Sequence, residues 1–169
     1  MTAFFVRRKA GRLASLVLSS VLVLAQAAVP TLAPTGAEAQ AIPAGYSRPA
    51  PIIVRNDPGG DVGARANKIR AMADSGQSVE IRGACYSACT MYLGLPGSCI
   101  SRNVQFGFHR PSFYGAALAP DQFEFWSRII AAHYPPALRN WYLAQGRYSA
   151  RLQMLSGAQL IDLGIRECA

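Results

Sequence analysis

The stretch "VEIRGACYSACTMYLGLPGSCISRNVQFGFHRPS", Val79–Ser112, places Ser87 between two cysteines and follows it 22 residues later with His109. Its opening, "SVEIR" (78–82), alternates apolar and polar residues and predicts a strand entering Gly83. From Ser87 to Leu95 the run "SACTMYLGL" suits a short buried helix, stopped by Pro96-Gly97. "CIS" and "VQFGFH" then read as two further strands, and Gly107 within the second implies a bulge or a close backbone approach.

Working outward, "PIIVR" (51–55) reads as a short buried strand, broken by the turn "NDPGGDV" (56–62). Asp61 can cap a helix running to about Asp74, with Val62, Ala66, Ile69 and Ala73 on one face and Ser75-Gly76 at its end. Strand, helix and strand within about 30 residues make a βαβ unit, whose two strands are expected to be parallel and adjacent. The second half is helical. Pro120 and Asp121 open one helix with a D-x-x-E capping box to Glu124. "PPALRNWYLAQG" (135–146) gives another, and "SGAQLIDLG" (156–164) starts with an S-x-x-Q box. A strand at "IREC" (165–168) closes the chain. The class is α/β, with a small, mostly parallel sheet and a helical C-terminal half.

The first 39 residues have the layout of a secretory signal peptide: basic residues from Arg7 to Arg12, an apolar run from about Leu13 to Val29, and Ala37-Glu38-Ala39 as a cleavage site. A cut after Ala27 and an uncleaved anchor are the alternatives, although the run is short for a span of roughly 20 residues. Residues 40–50 form a leader, and 51–169 one domain, large enough for a single core. The expected location is therefore periplasmic or secreted, with membrane contact only through an uncleaved signal segment.

The full chain carries a net charge of +8, and residues 40–169 keep about +5. The positive charges are scattered, and Lys68 is the single lysine among them. No basic stripe interleaves with aromatics, so nucleic acid is not an expected partner. All four cysteines, Cys85, Cys89, Cys99 and Cys168, lie beyond the signal segment. An even count in an exported chain points to two disulfides, with three connectivities open. Zinc is the alternative, but C-x3-C without nearby histidines matches no common ligand spacing, so no metal and no other cofactor is expected.

A serine hydroxyl is a weak nucleophile until a base takes its proton, and the oxyanion then needs donors aimed at the developing charge. At a strand-to-helix junction Ser87 would have the helix N–H groups beside it, that of Ala88 first. A second donor can come from the Gly59-Gly60 turn, because glycine allows close backbone approach. His109, at a strand end, is the base this segment offers. Singly, these features have ordinary readings: a helix N-cap, a turn, a surface histidine. Their order and spacing favour a site. Arg110-Pro111 has two readings as well, a pair that fixes a peptide carboxylate or simply the end of the strand, and the second is preferred. His133 reads as a helix-end residue.

Together the motifs resemble the proteolytic subunit of Clp protease and its wider ClpP/crotonase superfamily. The matching residues are "NDPGG" (56–60), Gly83 four residues before Ser87, "HRP" (109–111), and more faintly "MLSGAQLIDLGI" (154–165). The resemblance spans about residues 51–167. It implies a ClpP-like fold and peptide-bond hydrolysis, with Ser87 as nucleophile, His109 as general base, and the N–H groups of Gly60 and Ala88 as the oxyanion hole. It also implies a peptide or protein substrate, and homo-oligomers in which the 120–145 helices could make contacts.

Three departures accompany it. The position of the family's orienting aspartate falls on Leu152, and spacing supports none of Asp162, Asp121 or Glu124 as its substitute. Much of the family's N-terminal region is missing. Export also removes the chain from ATP, so no ATPase partner is expected. The cysteines are foreign to the cytosolic family and look more like those of exported relatives with a C-x-S-A-C segment. Here Cys85 precedes the helix and Cys89 lies one turn into it, close enough to pair, and Cys99 with Cys168 would tie down the terminus; that pairing is the preferred one. The leading expectation is an exported serine hydrolase. A catalytically inactive relative that binds peptides or envelope partners is the alternative, and acyl-CoA chemistry fits poorly with export.

Overall fold

The structure, a computed structural model, describes residues 47–169. The signal segment and most of the leader expected from the sequence lie outside the described residues.

The chain opens with strand β1 (Ile52–Asp57), helix α1 (Val62–Asp74) and strand β2 (Val79–Tyr86), and the two strands are parallel neighbours. The ends of α1 follow from local chemistry. The Asp61 side chain accepts the Ala64 N–H at 2.6 Å. At the other end Gly76 takes φ +70°, and the Gly76 and Gln77 N–H groups bond the carbonyls of Ala73 and Met72. That is a Schellman closure. The buried face differs from expectation by one residue: Met72 is buried and Ala73 is exposed.

Strand β1 also corrects a reading. It is an edge strand rather than a buried one, with Ile52 and Ile53 44% and 42% exposed. Its register against β2 slips between Val54 and Asn56. There the Arg55 carbonyl presses against Gly83 so closely that any Cβ at 83 would overlap it. Glycine at this position is a steric demand of the paired strands.

After β2 comes a 3-10 helix, Ser87–Gly94, of which Ala88 to Leu93 are all buried. Strands β3 (Cys99–Ile100) and β4 (Gln105–Phe108) then pair in parallel with the start and the end of β2. Two further strand features carry no prior expectation. One is a hairpin of β5 (Ser112–Phe113) and β6 (Ala116–Ala117), whose turn residues Tyr114 and Gly115 have φ of +49° and +89°. Positive φ at both central positions is the geometry of a tight hairpin turn. The other is β7 (Gln153–Ser156), which closes the sheet antiparallel to β4. The sheet order is β1-β2-β4-β7, with β3 beside β2.

The helical half holds α2 (Pro120–Ala132), α3 (Pro136–Ala144) and α4 (Gly157–Asp162). The Asp121 capping box does not form. Pro120 starts α2 one residue early, so Ala119 is the N-cap and Asp121 already lies inside the first turn. Glu124 instead binds Arg128 and Arg147, each at 2.7 Å. The Ser156–Gln159 box does form, in both directions. The expected last strand reduces to one parallel bridge, Ile100 to Glu167. The core runs from Ile81 and Phe106 on the sheet through Met91 of the 3-10 helix to Leu138, Tyr142 and Leu160.

Cys85 is bonded to Cys89, and Cys99 to Cys168. The second bridge closes a separation of 69 residues, worth about 4 kcal/mol in the chain-entropy model. Two disulfides fit an oxidising, extracytoplasmic environment. No helix among the described residues is long and apolar enough to cross a membrane.

Candidate active site

Ser87 sits where β2 turns into the 3-10 helix, and its backbone has φ +54°. A non-glycine residue in this region is strained and is held there by its surroundings. The disulfide between Cys85 and Cys89 spans the residue, with both sulfur-bearing residues fully buried. Behind it the Thr90 hydroxyl donates to the Ser87 carbonyl at 2.7 Å. That donation uses the only hydroxyl hydrogen of Thr90, so in the 2.6 Å contact between Thr90 and Tyr134 the tyrosine is the donor. Burial pushes the Tyr134 phenol well above its ordinary range, which keeps it a neutral donor.

His109 follows β4 directly. Because β4 pairs with the end of β2, Phe106 and Gly107 lie beside Cys85 and Tyr86, and the next residues of both strands converge. The result is a 2.7 Å hydrogen bond between His109 Nε2 and Ser87 Oγ. Gly107 is what allows β4 this close: a Cβ there would stand 2.8 Å from the Tyr86 ring and 2.9 Å from Leu152. The Tyr142 hydroxyl donates to the His109 carbonyl at 3.3 Å, and burial raises its own pKa too. Tyr134 and Tyr142 pack edge to face, so the two anchors of serine and histidine share one aromatic wall.

The Gly59-Gly60 turn lies against the serine. Gly59 has φ +107°, and a Cβ on it would stand 2.6 Å from Ser87 Cβ and 3.0 Å from Ala88 N. The turn is braced by a pair that sequence reading missed. Asp57 accepts the Gly59 N–H at 2.8 Å and is bonded by Arg65, also at 2.8 Å, while Arg65 reaches the Gly59 carbonyl and stacks on Tyr92. Gly60, at φ +123°, lines the cavity beside Ser87 and His109. Ala88 is 2% exposed and lies under the turn at the first step of the 3-10 helix, where N–H groups have no intrahelical acceptor.

A cavity of about 410 Å³ opens over this group. Phe108, Ile130, Tyr134 and Tyr142 line it with apolar surface; Arg110 and the hairpin residues Phe113 to Gly115 also border it. Its size is within the ordinary range for small-molecule and peptide sites.

No carboxylate among the described residues hydrogen-bonds the His109 ring. Asp121 and Asp162 are exposed, and Glu124 is held by its two arginines. Leu152 occupies the position where the resemblance places an aspartate, and it is 43% exposed. His133 lies apart from the Ser87–His109 pair in bonding, its Nδ1 donating to the Ile129 carbonyl at 2.8 Å. Among the described residues, one cluster of metal-type donors lies within mutual reach, Glu80 with Cys99 and Cys168. Its two sulfurs are bonded to each other and leave no thiolate.

No protein-family model matches this chain, and neither does any curated protein.

Proposed function

We propose that this chain is an exported serine hydrolase with a ClpP/crotonase-like site, acting on peptides. The observation that carries the reading is the 2.7 Å contact of Ser87 Oγ with His109 Nε2, made by a serine held at φ +54° beside a paired-glycine turn. That distance is within the range a general base needs. In the reaction, Ser87 Oγ attacks the substrate carbonyl carbon while its proton passes to His109 Nε2. The N–H groups of Gly60 and Ala88 receive the oxyanion. The C–N bond then breaks as His109 returns the proton to the leaving amine. Water repeats the sequence on the acyl-enzyme, its proton going to His109 and then to Ser87 as the ester bond breaks.

The test is labelling of the folded, disulfide-intact protein by a fluorophosphonate probe. Labelling that disappears in Ser87→Ala supports the hydrolase. Its absence from the wild-type chain would reject it.

One observation favours a second reading. The His109 ring has no carboxylate partner among the described residues, and loss of that partner lowers turnover by about 10⁴ in serine proteases. A chain so weakened can serve as a peptide-binding protein that uses the same cavity.

A further inference from the structure

Neither reading assigns a task to the cation in the cavity. The described arginines are mostly engaged: Arg65 holds Asp57, Arg102 holds Glu167, Arg147 holds Glu124, and Arg139 bonds two carbonyls. Arg110 differs from the remaining described arginines without a bonded partner in lining the cavity. It lines the cavity beside His109 and is half-buried, and among the described residues its guanidinium makes no hydrogen bond or ion pair. Its base is nevertheless fixed, because the Arg110 N–H donates to the Ser149 carbonyl at 2.8 Å.

A guanidinium without a protein partner keeps its donors open to a ligand, and a planar carboxylate is the group that best satisfies them as a pair. The other charged residue of the lining, Asp61, is anionic and already serves as the cap of α1. Apart from the N–H groups assigned to the oxyanion, the lining therefore offers an anion one arginine or lysine, Arg110. Next to it, Phe113 and Tyr114 are 68% and 96% exposed on the rim and offer apolar surface to a neighbouring side chain.

We propose that Arg110 binds a substrate carboxylate, so that the cavity takes short peptides by their free C-terminal end. This rests on the reading of the cavity as a peptide site. It makes the enzyme selective for chain ends rather than for internal bonds of folded proteins.

The test separates binding from turnover by using the Ser87→Ala protein, checked for its fold by circular dichroism. Titration calorimetry compares Ala-Ala-Phe as free acid, the same peptide as carboxamide, and Ala-Glu-Phe carboxamide. The free acid binds about tenfold to a hundredfold tighter than its carboxamide, the range for hydrogen bonds to a charged group. Adding Arg110→Gln removes the difference, and Arg110→Lys keeps part of it. Arg110-dependent binding of the glutamate peptide extends the anchor to acidic side chains. Equal affinity of acid and carboxamide, discrimination that survives Arg110→Gln, or no binding at millimolar peptide overturns the proposal. Fluorophosphonate labelling of the wild-type chain, with a probe that carries no carboxylate, reports separately on the hydrolase reading.

Discussion

Leu152 and His109 are the next positions on their two strands after the last pair of the β4–β7 ladder, Phe108 with Gln153. Leu152 and Gly107 stand on one face of that ladder, since a Cβ added at Gly107 would stand 2.9 Å from the Leu152 side chain, and His109 follows Gly107 by two residues. A carboxylate at 152 would therefore be on the side of the sheet that carries the imidazole. Leu152→Asp is expected to raise the rate of fluorophosphonate labelling by about tenfold or more, a fraction of what the orienting group contributes elsewhere. An unchanged rate in a folded variant would mean that position 152 does not reach the ring.

The two glycines of the turn are expected to respond differently to alanine. At Gly59 a Cβ meets Ser87, and φ is +107°; at Gly60 φ is +123° but nothing lies within 4 Å. Both substitutions strain the backbone by about 1–3 kcal/mol. Gly59→Ala adds a collision with the nucleophile, so it should lose more stability in urea and most of the labelling. Equal behaviour of the two variants would contradict the contact between Gly59 and Ser87.

The disulfides have separable roles. In the chain-entropy model the bridge from Cys99 to Cys168 contributes about 4 kcal/mol, and the short Cys85–Cys89 loop about 2 kcal/mol. Removing the first by paired serine substitutions should lower the urea midpoint most. Removing the second by paired alanines should cost less stability but slow labelling, because that bridge spans Ser87. Faster loss of labelling from the first pair would reverse the assignment.

Stability at acid pH is expected to depend on Glu124. Hydrogen bonds from Arg147, then Arg128, hold its carboxyl below the ordinary value of 4.5. A depressed folded-state pKa means that its contribution is present above the unfolded value and is lost as pH falls through the folded one. Glu124→Gln should therefore flatten the decline of the thermal midpoint below about pH 4.5 and leave its shape near neutrality unchanged. The side chain is 41% exposed, so the effect is small and decreases with salt. An acid limb identical in variant and wild type would place the proton uptake elsewhere.

How much was legible from the sequence depended on the range of each interaction. The Asp61 cap, the Gly76 closure and the Ser156–Gln159 box all act within five residues, and each was readable from its local signal. The Asp121 box misled because Pro120, one position away, starts the helix first. Strand β7 left no local signal at all, since its partner β4 lies some fifty residues earlier. The exposure of Ile52 and Ile53 was hidden for a similar reason: composition predicts burial, but only the sheet order makes β1 an edge.

For the site, residue types and spacing were enough to nominate Ser87, His109 and the glycine turn, because few side chains do this chemistry and few residues allow that turn. The sequence by itself also restricted the cysteines to three pairings. Only the tertiary structure brought Nε2 to 2.7 Å from Oγ, formed the preferred one of those pairings, and added Asp57–Arg65 and Thr90–Tyr134 as supports. The physical reason is strand pairing. Parallel registry between β2 and β4 sets where the ends of two distant segments meet, and that registry is a property of the assembled sheet.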